Sequence, residues 1–228
     1  VKTRAEEVGL AKVYPIAAIT VGQEGKQIAE LGKLKAAGAV AFSDDGRPVE
    51  NAQTMRVALE YAKQFDALLI SHCEELSLVA GGVINEGYTA SEAGYRGITR
   101  ASEEVMVARE IVLADALSTK VHIAHISTEG SARLIRDAKR AGIRVSCETC
   151  PHYFAATDEL AANGDPMAKV NPPLREERDR EAIVRAIQDG TVDAIVTDHA
   201  PHAAHEKGAL NDAANGISGL ETSFALSY

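Results

Sequence analysis

The sequence predicts an α/β fold, a parallel sheet covered by helices that is either open or closed into a barrel. Three observations carry that expectation. Six short apolar runs alternate with helical patterns or long crossovers. No internal repeat, low-complexity tract or linker divides the chain, so residues 1–228 read as one domain. With 46% hydrophobic and 25% charged residues, a chain of 228 can bury a sizeable core.

The elements follow in order. Val13 to Thr20 reads as a strand interrupted by Pro15, Gln27 to Ala37 as a helix ended by Gly38, and Ala39 to Ser43 as a short strand. Thr54 to Phe65 reads as a helix and Ala67 to Ser71 as a strand, followed by a long loop carrying Gly81, Gly82, Gly87, Gly94 and Gly97. Ser102 is placed to cap the next helix, and Glu103 and Glu104 suit its positive end. Val105, Ala108 and Val112 form its expected apolar stripe. Val121 to Ile126 is a strand. The helix from about Glu129 to Ala141 should bury Leu134, Ala138 and Ala141, with Gly142 as its stop. Ile143 to Glu148 is a strand, and the proline-rich stretch from Thr149 to Arg175 is irregular. Arg178 to Gln188 reads as a helix with Ile183 and Ile187 inward and Arg178, Asp179, Arg180 and Glu181 outward. Val192 to Thr197 is the last strand.

Charge and cysteine usage narrow the class. The chain carries 24 Lys and Arg against 33 Asp and Glu, a net charge of −9. That balance argues against nucleic-acid or anionic-membrane partners, which select basic patches. No apolar run approaches the ~20 residues of a membrane helix, and the start at Val1 shows no signal peptide. Cys73, Cys147 and Cys150 offer no disulfide framework, which suits a reducing cytoplasm. Cys147 and Cys150 have C-x-x-C spacing but no second pair, so they read as ordinary thiols.

The chemistry stands at the strand ends. Ala41-Phe42-Ser43 runs into Asp44-Asp45, Leu68-Leu69-Ile70-Ser71 into His72, Val121-His122-Ile123-Ala124 into His125, and Ala194-Ile195-Val196-Thr197 into Asp198. A single Asp or His after a strand is usually a turn former or a hydrogen-bonded neutral ring. Four at the same end of four parallel strands, where such folds build their sites, point to a divalent metal held by nitrogen and oxygen. His122 lies at the start of its strand and reads as structural; His152 is left open. Of His199, His202 and His205, only His202 is given a role.

These segments resemble the dihydroorotases of the amidohydrolase superfamily, in the class I bacterial form. The resemblance rests on Phe42-Ser43-Asp44-Asp45-Gly46, Ser71-His72-Cys73-Glu74-Glu75 and His122-Ile123-Ala124-His125-Ile126-Ser127-Thr128. It continues through Val170-Asn171-Pro172-Pro173-Leu174-Arg175, Thr197-Asp198-His199-Ala200-Pro201-His202 and Gly216-Ile217-Ser218-Gly219-Leu220-Glu221-Thr222. It implies a distorted (β/α)8 barrel with one or two zinc ions at its mouth. Asp45 is similar to the metal-bridging carboxylate, His72 and His125 to the histidine ligands of strands five and six, and Asp198 to the strand-eight ligand and proton shuttle. Asn171 and His202 would contact substrate, and Asn215 with Gly216 would supply loop backbone to a pyrimidine ring. The implied reaction interconverts N-carbamoyl-L-aspartate and L-dihydroorotate in pyrimidine synthesis. The implied partners are a second copy of the chain or aspartate carbamoyltransferase.

The chain departs from that family in one respect. No His-x-His-x-Arg motif occurs, so two metal ligands and a substrate arginine are missing. Val13 to Thr20 would then be the third strand of eight, and the chain would be an inactive, unstable fragment with open sheet edges. The rival readings are a hydantoinase or allantoinase and a non-catalytic homologue that scaffolds aspartate carbamoyltransferase.

Overall fold

A computed structural model describes residues Val1–Tyr228. Helix α1 (Lys2–Val8) leads into β1 (Ile16–Ala17), α2 (Leu31–Ala36), β2 (Ala41–Phe42), α3 (Ala52–Lys63) and β3 (Ile70–Ser71). Next come α4 (Leu76–Val79), β4 (Ile84–Asn85), α5 (Tyr88–Ala93) and β5 (Gly97–Ile98). The chain continues through α6 (Ala101–Ala116), β6 (Val121–Ile123), α7 (Glu129–Arg140) and β7 (Val145–Thr149). It closes with α8 (Pro151–Ala155), α9 (Glu177–Gln188), β8 (Ala194–Ile195) and α10 (Leu220–Ser227).

The six strands expected from sequence lie side by side in chain order, and every pairing is parallel. β1 pairs with β2, a Phe42–Leu69 bridge joins β2 to the start of β3, and β3, β6, β7 and β8 form one sheet. No pairing joins β1 to β8. Period-two alternation splits the strand side chains into two sets. Phe42, Leu69, Val121, Ile123, Val145 and Cys147 face the helices and join Met55, Leu59, Met106, Ile135 and Ile183 in the main core. Ile70, Ala124 and Glu148 point the other way and line a cavity.

Local chemistry explains the helices that back this sheet. Asn51 caps α3 by accepting the Thr54 amide at 3.0 Å, and α3 buries Met55, Ala58, Leu59 and Ala62. Thr128 caps α7 by accepting the Ser131 amide at 3.1 Å. Glu129 in its first turn and Lys139 and Arg140 in its last complement the helix dipole. Gly142 then takes φ +81°, the left-handed conformation that ends a helix without a Cβ penalty.

The structure corrects several expectations. The strands are shorter than the apolar runs; β1 and β8 keep only two residues each. The glycine-rich loop is a small parallel sheet, β4 with β5, flanked by α4 and α5. Gly82 is required there because a Cβ would sit 2.4 Å from the Gly97 carbonyl oxygen. Helix α6 begins at Ala101 with Arg100 at its cap position, so Ser102 lies inside it, buried. Its expected stripe is on the wrong face: Val105 and Val112 are 51% and 64% exposed, while Met106, Val107, Ile111 and Ala114 are buried. Apolar residues surround this helix, so periodicity alone offers two faces, and packing selects one. In α7 the buried residues are Gly130, Ser131, Ala132, Ile135 and Ala138; Leu134 is half-buried and Ala141 is exposed. Asp179 points inward, fully buried, and accepts the Glu129 amide of α7 at 2.9 Å. The irregular stretch after β7 contains α8, with Pro151 in its first turn.

Candidate functional site

The C-terminal ends of the parallel strands open on one cavity of about 890 Å³. Its wall includes Asp45 after β2, His72 after β3, His125 after β6 and Asp198 after β8, together with Asn171, Asn215 and Gly216. His202 does not line it. That ring sits behind the loop, where Nε2 lies 2.8 Å from the Asn215 carbonyl. Gly216, at φ +122°, has no room for a Cβ: one would meet the Ala200 side chain at 2.6 Å and His202 Nε2 at 3.3 Å.

Three of the strand-end residues hold strained backbone. Asp45, His125 and Asp198 take φ of +57°, +35° and +44°. Non-glycine residues rarely adopt this region, and such strain collects where a side chain must be aimed away from its strand.

The two imidazoles meet. His72 Nδ1 lies 2.9 Å from His125 Nε2, and the rings stand nearly perpendicular at 80°. The far nitrogen of His72, Nε2, lies 3.1 Å from Glu74 Oε2. Asn171 Nδ2 donates to the same carboxylate oxygen at 3.1 Å. Burial alone would push the Glu74 carboxyl up, but His72, Asn171 and Arg175 outweigh it and hold it below its ordinary value. Burial, reinforced by His72, holds His125 well below the ordinary imidazole value, and its Nδ1 is buried without a partner.

The carboxylates divide by role. Asp44 is 2% exposed and is consumed by the fold: it accepts the Ile19 amide at 2.8 Å, the Thr20 amide at 3.0 Å and the Thr20 hydroxyl. Asp45 is exposed toward the cavity. Burial and then the charge of Asp45 raise the Asp198 carboxyl above its ordinary value. Two carboxylates that repel each other beside two imidazoles fit a divalent cation with nitrogen and oxygen ligands. Asp45 and Asp198 nonetheless stand apart from the histidine pair. The three donors whose atoms all lie within 4.8 Å of one another are Cys150, His152 and Asp198.

A second layer fixes the segment that carries Asn171. Arg175, 3% exposed, donates to Ser127 Oγ, to Asn85 Oδ1 and to the Ile98 carbonyl, each at 3.1 Å, and lies 3.7 Å from Glu103. Glu103 in turn accepts the Ser127 and Thr128 amides at 3.0 and 3.3 Å. The sequence assigned no role to Glu74 or Arg175 and gave Glu103 only a place at the positive end of its helix. The signal for Glu74 was present: it stands two residues after His72, on the same side of an extended segment. His122 is engaged at both nitrogens, with Ser146 Oγ at 2.8 Å and Glu148 Oε2 at 3.1 Å. His199 Nδ1 accepts the Gly219 and Leu220 amides at the start of α10.

A family profile described as Dihydro-orotase-like matches residues 1–131, more than half of the chain. The chain belongs to this family. Similar proteins include the dihydroorotase of Acetivibrio thermocellus, 54% identical over 224 residues, and that of Geotalea daltonii, 55% identical over 225 residues. Each alignment covers 98% of this chain and 53% of the relative, so the chain spans about half the length of the curated relatives it matches. Among solved structures, the L-hydantoinase of Arthrobacter aurescens aligns with a TM-score of 0.82 at 20% identity, covering 99% of this chain and 53% of that one. The Saccharomyces cerevisiae dihydroorotase in complex with 5-fluoroorotic acid aligns with a TM-score of 0.74 at 14% identity, covering 99% and 63%. At those identities the two structures speak to the fold, which they share with this dihydroorotase-like chain. No helix is long and apolar enough to cross a membrane.

Proposed function

We propose that this chain is part of a zinc-dependent dihydroorotase, which reversibly cyclises N-carbamoyl-L-aspartate to L-dihydroorotate and water. The observation that carries the reading is the facing pair His72 Nδ1 and His125 Nε2, on a cavity also lined by Asp45 and Asp198. The six-stranded parallel arc is read as strands three to eight of a (β/α)8 barrel, with residues 1–228 as part of one barrel domain. The activity is assigned to a protein of the relatives' length. Three free, buried cysteines suit a cytoplasmic setting.

In this reading His72, His125, Asp45 and Asp198 hold one or two zinc ions. Bound there, zinc lowers the pKa of water toward ~7 and polarises the carbonyl under attack. The chain's own residues do the rest. Glu74 fixes the tautomer of His72, so that Nδ1 is left with its lone pair toward His125. Asp198 takes the proton of the attacking water and returns it to the ring nitrogen that leaves. A shuttle must reach both partners, and a carboxylate at a strand end on the cavity can do so. Asn171 and the Asn215–Gly216 backbone bind and orient the ring, and His202 secures that loop through the Asn215 carbonyl.

Likeness to hydantoinases concerns the fold, whereas the sequence relatives at over half identity are named dihydroorotases, so L-dihydroorotate is the preferred substrate. The presence of all four candidate ligands favours an enzyme over a scaffolding homologue. Replacing Asp198 with Asn in a protein of the relatives' length tests the shuttle. Turnover should vanish while the circular dichroism spectrum stays unchanged; wild-type rates would remove Asp198 from the mechanism.

A further inference from the structure

A second donor set lies beside the first, and two of its three members, Cys150 and His152, are unused by the reaction described above. Cys150 and His152 flank Pro151, where β7 turns into α8, and Asp198 follows the neighbouring strand β8. One donor atom from each of the three lies within 4.8 Å of the others. The Cys150 thiol is free and fully buried. His152 is only 8% exposed, and its Nε2 is buried with no hydrogen-bond partner. A buried polar atom without a partner is uncommon, and an absent ligand is one physical reason for it. Sulfur, nitrogen and oxygen donors in one cluster suit a thiophilic divalent ion, with a further position left for solvent.

We infer that Cys150, His152 and Asp198 form a second metal site that takes a thiophilic divalent cation, Zn²⁺ or Cd²⁺, separately from the His72–His125 pair. Ligation breaks the Cys150 S–H bond, forms a metal–sulfur bond and releases the proton to solvent. Asp198 belongs to both donor sets, so an ion held here withdraws its carboxylate from the hydrolytic centre. Occupancy therefore inhibits. That consequence rests on the function proposed above, while the site itself rests only on donor geometry.

The test is titration of the purified protein with Co²⁺. The proposed catalytic ligands are nitrogen and oxygen, so thiolate-to-cobalt charge-transfer absorption reports a cysteine ligand and nothing else. The band should appear in the wild type, vanish in Cys150→Ser and in His152→Gln, and persist in Cys147→Ser and Cys73→Ser. The His152 variant guards against a Cys150 variant that fails to fold. No thiolate band at saturating Co²⁺, or a band unchanged in Cys150→Ser, would overturn the site. Excess Cd²⁺ should slow dihydroorotate ring opening in the wild type and leave Cys150→Ser unaffected. Full wild-type activity with the thiolate band saturated would overturn the inhibition. A thiolate band in a protein with no dihydroorotate turnover would support the site and count against the proposed reaction instead.

Discussion

Glu74 holds His72 from behind: Glu74 Oε2 lies 3.1 Å from His72 Nε2, which leaves Nδ1 turned toward His125. Carboxylates that bond the far nitrogen of a ligating histidine set its tautomer and raise its basicity. Glu74→Gln should therefore weaken metal binding by about 10–100-fold. A chelator competition assay measures it. Unchanged affinity would show that His72 needs no such support, or is no ligand.

Asp44 and Asp45 are adjacent in sequence and opposite in function. Asp44→Ala strips partners from two buried amides and a hydroxyl, at about 1–3 kcal/mol for a buried donor left unsatisfied. It should lower the melting temperature. Asp45→Ala should leave the melting temperature of the metal-free protein alone and reduce bound metal. Thermal melts with metal analysis separate the two; the reverse pattern would exchange their roles.

Arg175 knits Asn85, Ile98, Ser127 and Glu103 together beneath Asn171. Arg175→Met removes one partner of a buried pair and leaves Glu103 uncompensated, a loss of about 3–5 kcal/mol. Denaturant unfolding reads this directly. A loss under about 1 kcal/mol, the range of exposed pairs, would show that the network is slack.

Glu110 is fully buried in α6, with Oε1 accepting from Ser71 and Arg109 and Oε2 unpartnered. Burial raises its carboxyl above the ordinary value, and Arg109 offsets part of that. A raised pKa means the folded state binds the proton more tightly than the unfolded chain. The associated stability is present below the unfolded value, about 4.3, and is lost as pH rises through the folded one. Melting temperature followed from acid to neutral pH should fall more in the wild type than in Glu110→Gln. Parallel curves would refute the assignment.

Much of this was legible in the residues. Strict alternation of apolar runs and helices announced a parallel sheet, and the strand ends named the pair Asp44-Asp45 with His72, His125 and Asp198, while only the resemblance to the dihydroorotases singled out Asp45. The buried face of α6 was not legible, since Val105 and Val112 satisfy the same period as Met106, Val107 and Ile111. Nor was the inward Asp179, whose acceptor role depends on the start of α7, fifty residues earlier. The separate fates of Asp44 and Asp45 follow from a left-handed turn at Asp45 that no composition rule supplies. Cys150 and His152 reach Asp198 only through the β7–β8 pairing, which periodicity does not reveal.

We propose that the strand-end donors hold a metal that serves ring opening of L-dihydroorotate. The direct measurement is the initial rate of that reaction by a protein of the relatives' length carrying this chain. It is taken before chelation, after chelation and after zinc is restored, with hydantoin as the control substrate. The rate should be lost on chelation, return with zinc and be much slower on hydantoin. A rate indifferent to chelation, or a preference for hydantoin, would rule out a metal-dependent dihydroorotase.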